Sequence, residues 1–239
     1  MGTQRDFMDI RKVLDNAAKK FSEKPAIIFK GEAISFAQLR ETSLRLANVL
    51  AANGAQKGDK IAIYLPNCPE YVYSYLACFH LGCVGVPLDF MLKTDELTSC
   101  LEHSETKILI ASQQNDVSFE QIQKAVSTLK KIILYRGESV SGNVVRYEDA
   151  IVPTTTDLPE VKINDSDPAL IMYTSGTTGH PKGVVVEHPS ICNFVRVAAE
   201  LYGFGPGDRV HQGMTIAFDF SVEEIWVPLI AGATLIPGE

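Results

Sequence analysis

No two cysteines are spaced for a metal knuckle or a stapled loop: Cys68, Cys78, Cys83, Cys100 and Cys192 are odd in number, and no Cys-x-x-Cys occurs. Neither a disulfide framework nor a zinc site is indicated, and the thiols are expected to be buried and reduced. Clusters of Lys or Arg are also missing, and the 239 residues carry a formal net charge of −7. That removes the electrostatic footprint which nucleic acid or an anionic bilayer requires. No apolar run approaches the roughly 20 residues needed to span a bilayer. The start, Met1-Gly2-Thr3-Gln4-Arg5-Asp6, has no apolar targeting core, and Asp6 stands where a myristoylation motif wants Ser or Thr. A cytoplasmic location is the expectation. What remains, 46% hydrophobic and 21% charged residues, is enough for one large domain or two small ones.

One stretch stands out, Tyr173-Thr174-Ser175-Gly176-Thr177-Thr178-Gly179-His180-Pro181-Lys182-Gly183. Apolar runs flank it, Ala169 to Tyr173 before and Val184 to Val186 after, so the loop is expected to hang from two strands. Glycines let the backbone aim successive N–H groups at an anion, and the hydroxyls of Thr174, Ser175, Thr177 and Thr178 can donate to phosphate oxygens. Lys182 adds a point charge, while Pro181 stiffens the approach to it. The P-loop of ATPases does not fit, because the fifth residue on from Gly176 is Pro181 and Gly183 follows Lys182.

Around this loop the chain alternates strands with helices. A helix is expected from about Asp9 to Phe21, a hairpin across Lys30-Gly31-Glu32, and a helix capped by Ser35 and Gln38 and closed at Gly54. Strands follow at Ile61 to Leu65, Val84 to Leu88, Lys107 to Ala111 and Ile132 to Tyr135. Helices lie between them, one capped by Asn67 with Glu70 and stopped by Gly82, one from Thr94 to His103, and one from Phe119 to Leu129. This pattern predicts an α/β fold with parallel sheets flanked by helices. Residues 1–152 are expected to form a first α/β lobe, 153–168 a Pro-, Thr- and Asp-rich connector, and 169–239 the loop and the start of a second lobe. Beyond the loop a helix should run from Pro189 to Tyr202, ended by Gly205-Pro206-Gly207. Gly207-Asp208-Arg209 then resembles Gly58-Asp59-Lys60, and Ala231-Gly232 resembles Leu81-Gly82, a weak internal repeat of a βαβ-like unit.

A second candidate is Ala217-Phe218-Asp219-Phe220-Ser221. Ser221 with Glu224 fits a capping box, so the serine has a helix-starting role, whereas Asp219 is not required by that cap. His188 and His211 suit capping, packing or strand positions, His180 adds nothing further, and Cys192, Met172 and Trp226 suit a core. None receives a catalytic role.

Residue for residue, Tyr173 to Gly183 resembles the signature Tyr-Thr-Ser-Gly-Thr-Thr-Gly-x-Pro-Lys-Gly of adenylate-forming enzymes: acyl-CoA synthetases, nonribosomal peptide synthetase adenylation domains and luciferases. The resemblance implies two related lobes of the family's N-terminal domain. It also implies that ATP and Mg2+ are used to join a carboxylate to AMP, with pyrophosphate released and CoA or a phosphopantetheine carrier as acyl acceptor. Thr174, Ser175, Gly176, Thr177, Thr178, Gly179 and Lys182 would hold the departing phosphates, Lys182 acting on the reaction itself. The second candidate is similar to the Phe-Asp-x-Ser motif of amino-acid-activating members. There Asp219 would meet the substrate ammonium and Phe218 border its carboxylate. Leu65-Pro66-Asn67 and Val86-Pro87-Leu88 look more like acyl- or aryl-CoA synthetases, so a fatty-acyl or aryl substrate stays open beside an amino acid. A non-catalytic nucleotide-binding module stays open too. The resemblance starts near residue 10 and covers only the first part of the family pattern. The later magnesium-associated glutamate, the ribose aspartate, the hinge and the adenylation lysine are expected in a missing C-terminal part, possible partners being that part and a carrier protein. No metal ligand is assigned, and β-strand Ala233 to Ile236 is expected to leave an open sheet edge.

Overall fold

The computed structural model describes residues 9–113, 116–137, 143–152, 154–174 and 181–238. It begins with α1 (Ile10–Lys20), capped by Asp9, whose carboxylate accepts from Arg11 N at 3.0 Å. Strands β1 (Pro25–Phe29) and β2 (Glu32–Ser35) make an antiparallel hairpin. Lys30 and Gly31 turn it at φ 51° and 83°, the left-handed pair of a tight hairpin turn. Helix α2 (Phe36–Ala52) starts with the anticipated box: Gln38 N donates to Ser35 Oγ at 3.2 Å, and Ser35 N to Gln38 Oε1 at 2.8 Å.

The middle of the chain forms β3 (Lys60–Tyr64), α3 (Pro69–Leu81), β4 (Val84–Pro87), α4 (Thr94–His103), β5 (Ile108–Ser112), α5 (Phe119–Ala125), β6 (Lys131–Tyr135), β7 (Val144–Arg146) and α6 (Tyr147–Ile151). Then come β8 (Pro168–Thr174), β9 (Lys182–Glu187), α7 (His188–Tyr202), β10 (Arg209–Gln212), α8 (Phe220–Ala231) and β11 (Thr234–Pro237). Seven strands make one sheet in the order β7-β6-β5-β3-β4-β8-β9, and four make another in the order β10-β11-β1-β2. Among the described residues of the larger sheet only the β8–β9 pair is antiparallel. Segments on both sides of the connector contribute strands to each sheet. Fully buried Ile61, Ile63, Ile108 and Ile110 point to one face of the larger sheet and Ala62, Leu109 and Ile132 to the other, the apolar-on-both-faces signature of a covered parallel sheet.

Several local expectations need correcting. The cap of α3 is Cys68, not Asn67 with Glu70, and no side chain accepts there. Pro69 occupies the first turn and removes one of the donors a cap would satisfy, and the Asn67 amide instead donates to Met214 O at 3.3 Å. Helix α5 stops at Ala125 because Val126, at ψ 96°, has left helical conformation, and Ser127 and Thr128 after it favour non-helical backbone. Strand β7 and helix α6, a few residues each, went unseen. Gly203, left-handed at φ 66°, ends α7 ahead of Gly205. Strand β11 is not an edge: it pairs with β10 on one side and with β1, from the start of the chain, on the other.

The internal repeat is real in three dimensions. Asp59 and Asp208 each accept, through Oδ2, a backbone N–H three residues earlier at 2.7 Å. Each also accepts, through its carbonyl, the N–H that opens the second strand of its unit at 2.9 Å. Gly82 and Gly232 close the two helices at φ 65° and 79°. Those helices pack on each other, with Trp226 of α8 fully buried at 5.4 Å from Tyr75 and 5.7 Å from Phe79 of α3.

Behind this aromatic seam lies a buried polar cluster. Burial alone would raise the Asp9 carboxyl, but hydrogen bonds and charge from Arg11 hold it below the usual carboxylate range. Arg11 also donates to Val161 O at 3.0 Å, tying α1 to the connector. Burial pushes His80 down to about 4, with Asp15 opposing, and lowers His188, with Asp9 opposing. Folded-state values below the unfolded value mean that the unfolded chain binds more protons, so stability falls as pH drops from about 6.5 towards 4. The thermal midpoint, scanned from pH 7.5 to about 4.5, is expected to decline through that window, and less steeply in His80→Gln. A flat profile would contradict buried neutral imidazoles.

Candidate functional site

The β8–β9 hairpin is the feature that positions the glycine- and hydroxyl-rich stretch. Tyr173 pairs with Gly183 and Thr174 with Lys182 at the end of the hairpin next to its connecting segment, so that segment starts and finishes about 5 Å apart. Ser175, Gly176, Thr177, Thr178 and Gly179, with His180, lie outside the described residues. Of the anticipated phosphate ligands the structure therefore places the Thr174 backbone and Lys182, whose side chain is exposed. Gly183 is demanded by packing: a Cβ there would lie 2.8 Å from Ile171 Cγ2. β8 is rooted in the sheet beside β4, at Gly85 and Leu170.

Phe218 and Asp219 sit at the head of α8, in the segment that leaves β10. The anticipated Ser221–Glu224 capping box is overturned. Asp219 is the cap, its Oδ1 accepting from Phe220 N at 2.9 Å. Ser221 is buried inside the first turn and donates to Phe218 O at 2.6 Å and Ile216 O at 2.8 Å. Glu224 reaches back to accept from Met214 N at 3.0 Å. Two side chains also grip Met214 O, Gln212 at 2.8 Å and Asn67 at 3.3 Å. These bonds fix residues 214–218 and leave the Asp219 carboxylate and the half-exposed Phe218 ring facing outward. Serine and glutamate thus build the turn, and aspartate has an open side.

Between the two candidates runs the carboxyl edge of the larger sheet. The order β4-β3-β5-β6-β7 reverses direction next to β3, and in doubly wound sheets ligands bind outside the carboxyl ends at such a point. A cavity of about 380 Å³ lies there, lined by Lys30, Asn67, Asp89, Ser112, Arg136 and Thr215 among others. Sequence reasoning missed these residues, because a cavity assembled from six separate strand ends leaves no local motif. His211 lies in β10 and is exposed. Among the described residues no group of three or more His, Cys, Asp or Glu could hold a metal, all five cysteines are free and buried, and no helix is long and apolar enough to cross a membrane.

Residues 14–238 match the family model for AMP-binding enzymes. The chain is 30% identical over 223 residues to a delta-poly-L-ornithine synthetase of Acinetobacter baumannii, covering 93% of this chain and 15% of that protein. It is 31% identical over 233 residues to surfactin synthase subunit 2 of Bacillus subtilis, covering 96% of this chain and 6% of that protein. Its fold matches that of an anthranilate CoA ligase bound to anthranoyl-AMP with a TM-score of 0.88 and 23% identity, over 98% of this chain and 46% of the ligase. The chain thus spans a minor part of each synthetase and about half of the ligase.

Proposed function

The chain belongs to the family of AMP-binding enzymes, and from that premise we propose that it is the N-terminal portion of an adenylate-forming ligase whose substrate is an amino acid. The observation that carries the proposal is the pairing of Thr174 with Lys182, which holds the ends of a hydroxyl- and glycine-rich stretch one strand apart with a lysine at the exit. Such a stretch suits the β- and γ-phosphates of ATP. The donors are hydroxyls, N–H groups and an ammonium, which fit phosphate oxygens and not a resident metal; Mg2+ would arrive on the nucleotide. A substrate carboxylate oxygen attacks the α-phosphorus, the bond to the bridging oxygen breaks, and pyrophosphate leaves. The chain's own contribution is alignment and charge neutralisation. We assign Thr174, Ser175, Gly176, Thr177, Thr178, Gly179 and Lys182 to the leaving phosphates, Phe218 to the border of the substrate carboxylate, and Asp219 to its ammonium.

The outward carboxylate of Asp219 supports an amino acid over a fatty or aryl acid, as does similarity to a synthetase named for poly-L-ornithine. A thiol acceptor, CoA or a carrier-bound phosphopantetheine, and a C-terminal part that completes the site belong to the same proposal. The test is titration with MgATP and with a non-hydrolysable aminoacyl-adenylate analogue. Lys182→Ala is expected to weaken MgATP about tenfold, the worth of one charge-assisted contact, and to leave the analogue, which lacks pyrophosphate, within twofold. Equal weakening of both would remove Lys182 from the leaving group.

A further inference from the structure

We propose that His103, on the last turn of α4 and remote from the motif in sequence, is a positioning residue for Lys182, acting through Tyr173. The proposal rests on the assignment of the β8–β9 hairpin end to nucleotide phosphates. His103 Nδ1 lies 2.8 Å from Tyr173 Oη, and the two rings meet edge to face at 5.7 Å. The same phenol donates to Cys100 O at 3.2 Å, a carbonyl of the same helix. On its other side the Tyr173 ring lies over the Gly183 backbone: a Cβ at Gly183 would be 3.6 Å from Cε1 and Cζ of that ring. Tyr173 is therefore held between α4 and the strand that carries Lys182, and it pairs in register with Gly183, the residue next to that lysine.

Each end of this chain of contacts has a physical consequence. Either partner can supply the proton of the bond: a neutral imidazole accepts from the phenol, and an imidazolium donates to it while the phenol turns its own proton to Cys100 O. The contact persists in both states, as a fixed strut should. The Tyr173 hydroxyl is half-buried, and burial pushes it up to about 12, so it stays protonated throughout the neutral range. Without His103 the ring would keep its packing on Gly183 and its bond to Cys100 O but lose the shorter of its two ties to α4, so the register-fixed pair Thr174–Lys182 would be less firmly braced.

The experiment measures amide hydrogen exchange at Tyr173, Thr174, Lys182 and Gly183 together with MgATP affinity. It compares the unmodified chain with His103→Phe, His103→Gln, Tyr173→Phe, the double variant His103→Phe/Tyr173→Phe, and Lys182→Ala. His103→Phe and Tyr173→Phe should each speed exchange at those amides about tenfold, as expected for loss of one hydrogen bond, without altering exchange in β5 or α3. Each should weaken MgATP three- to tenfold, with the double variant no worse than Tyr173→Phe alone, which already removes the bonds to both His103 and Cys100 O. His103→Gln, which keeps a polar group, should restore part of both. Lys182→Ala should weaken MgATP while leaving exchange alone. Unchanged exchange in His103→Phe, or additive losses in the double variant, would overturn the positioning role. Faster exchange in His103→Phe with unchanged MgATP affinity would overturn the positioning role if Lys182→Ala still weakens MgATP, and the assignment of the hairpin end to phosphate if Lys182→Ala leaves MgATP unchanged as well.

Discussion

Gly232→Ala is expected to destabilise the fold by about 3 kcal/mol, the sum of a left-handed backbone cost and an overpacking cost. Gly232 closes α8 at φ 79°, where a residue with a Cβ is strained by about 1–2 kcal/mol. The added Cβ would also lie 2.4 to 2.7 Å from three atoms of the Phe21 ring. That ring cannot simply swing away: it is tilted against Phe36 at 5.9 Å, and the ammonium groups of Lys20 and Lys24 sit 5.0 and 5.7 Å from its centre. Lys24 in turn donates to Gly232 O at 3.3 Å. The contact therefore joins the end of α1 to the end of α8, and a shift there reaches the four-stranded sheet, where β1 lies beside β11. Gly203→Ala supplies the control. It too closes a helix, at φ 66°, but nothing lies within 4 Å of its would-be Cβ, so only the backbone cost of about 1 kcal/mol should appear. In thermal unfolding the two should differ severalfold, with a fall of roughly 6–12 °C against roughly 2–4 °C. Equal falls would mean that Phe21 yields freely and that α1 is less firmly docked than its packing indicates.

The repeat is the clearest case of structure legible in sequence. Gly-Asp before a strand, Leu-Gly or Ala-Gly after a helix, and Pro at the end of the next strand are backbone instructions, and both copies obey them through the same aspartate bonds. The Ser35–Gln38 box was legible for a like reason: donor and acceptor lie three residues apart, and nothing distant competes. Ser221–Glu224 has the same spacing and failed. Residues 214–218 fold under the start of α8 and offer Ile216 O and Phe218 O to the serine and Met214 N to the glutamate, so tertiary partners displaced the local ones. Asn67–Glu70 failed in the same way once Met214 O came within reach. The placement of β11 was illegible because its second neighbour, β1, is some 200 residues distant in sequence. No pattern in a terminal strand announces such a partner. For the candidate site, the hydroxyls, glycines and lysine of residues 174–183 form a local run that the sequence displays, whereas the His103–Tyr173 contact and the cavity at the sheet's carboxyl edge depend on long-range assembly.

Asp219→Asn separates the two roles open to that residue and should do so with the larger functional effect. As a cap, asparagine is equal to aspartate, so α8 should start as before and stability should change by less than about 1 kcal/mol, chiefly the lost attraction between a carboxylate and the helix N-terminus. As a partner for a substrate ammonium, asparagine lacks the charge. Truncating one member of a desolvated charge pair costs about 2–5 kcal/mol, so the dissociation constant of an aminoacyl-adenylate analogue should rise about a hundredfold. That of its desamino counterpart should stay within about twofold, because no ammonium is there to miss the charge. Asp219→Ala should lose the cap as well, adding about 1 kcal/mol of destabilisation to the same selective loss. Isothermal titration of both analogues, beside thermal unfolding of each variant, gives all of these numbers. A different pattern would refute the amino-acid assignment: Asn indistinguishable from Asp with both analogues, and Ala weakening both in proportion to lost stability. Asp219 would then be only the cap that its 2.9 Å bond to Phe220 N makes it, and the outward face of α8 would have to recognise its acid by shape, through Phe218 and the fixed turn behind it.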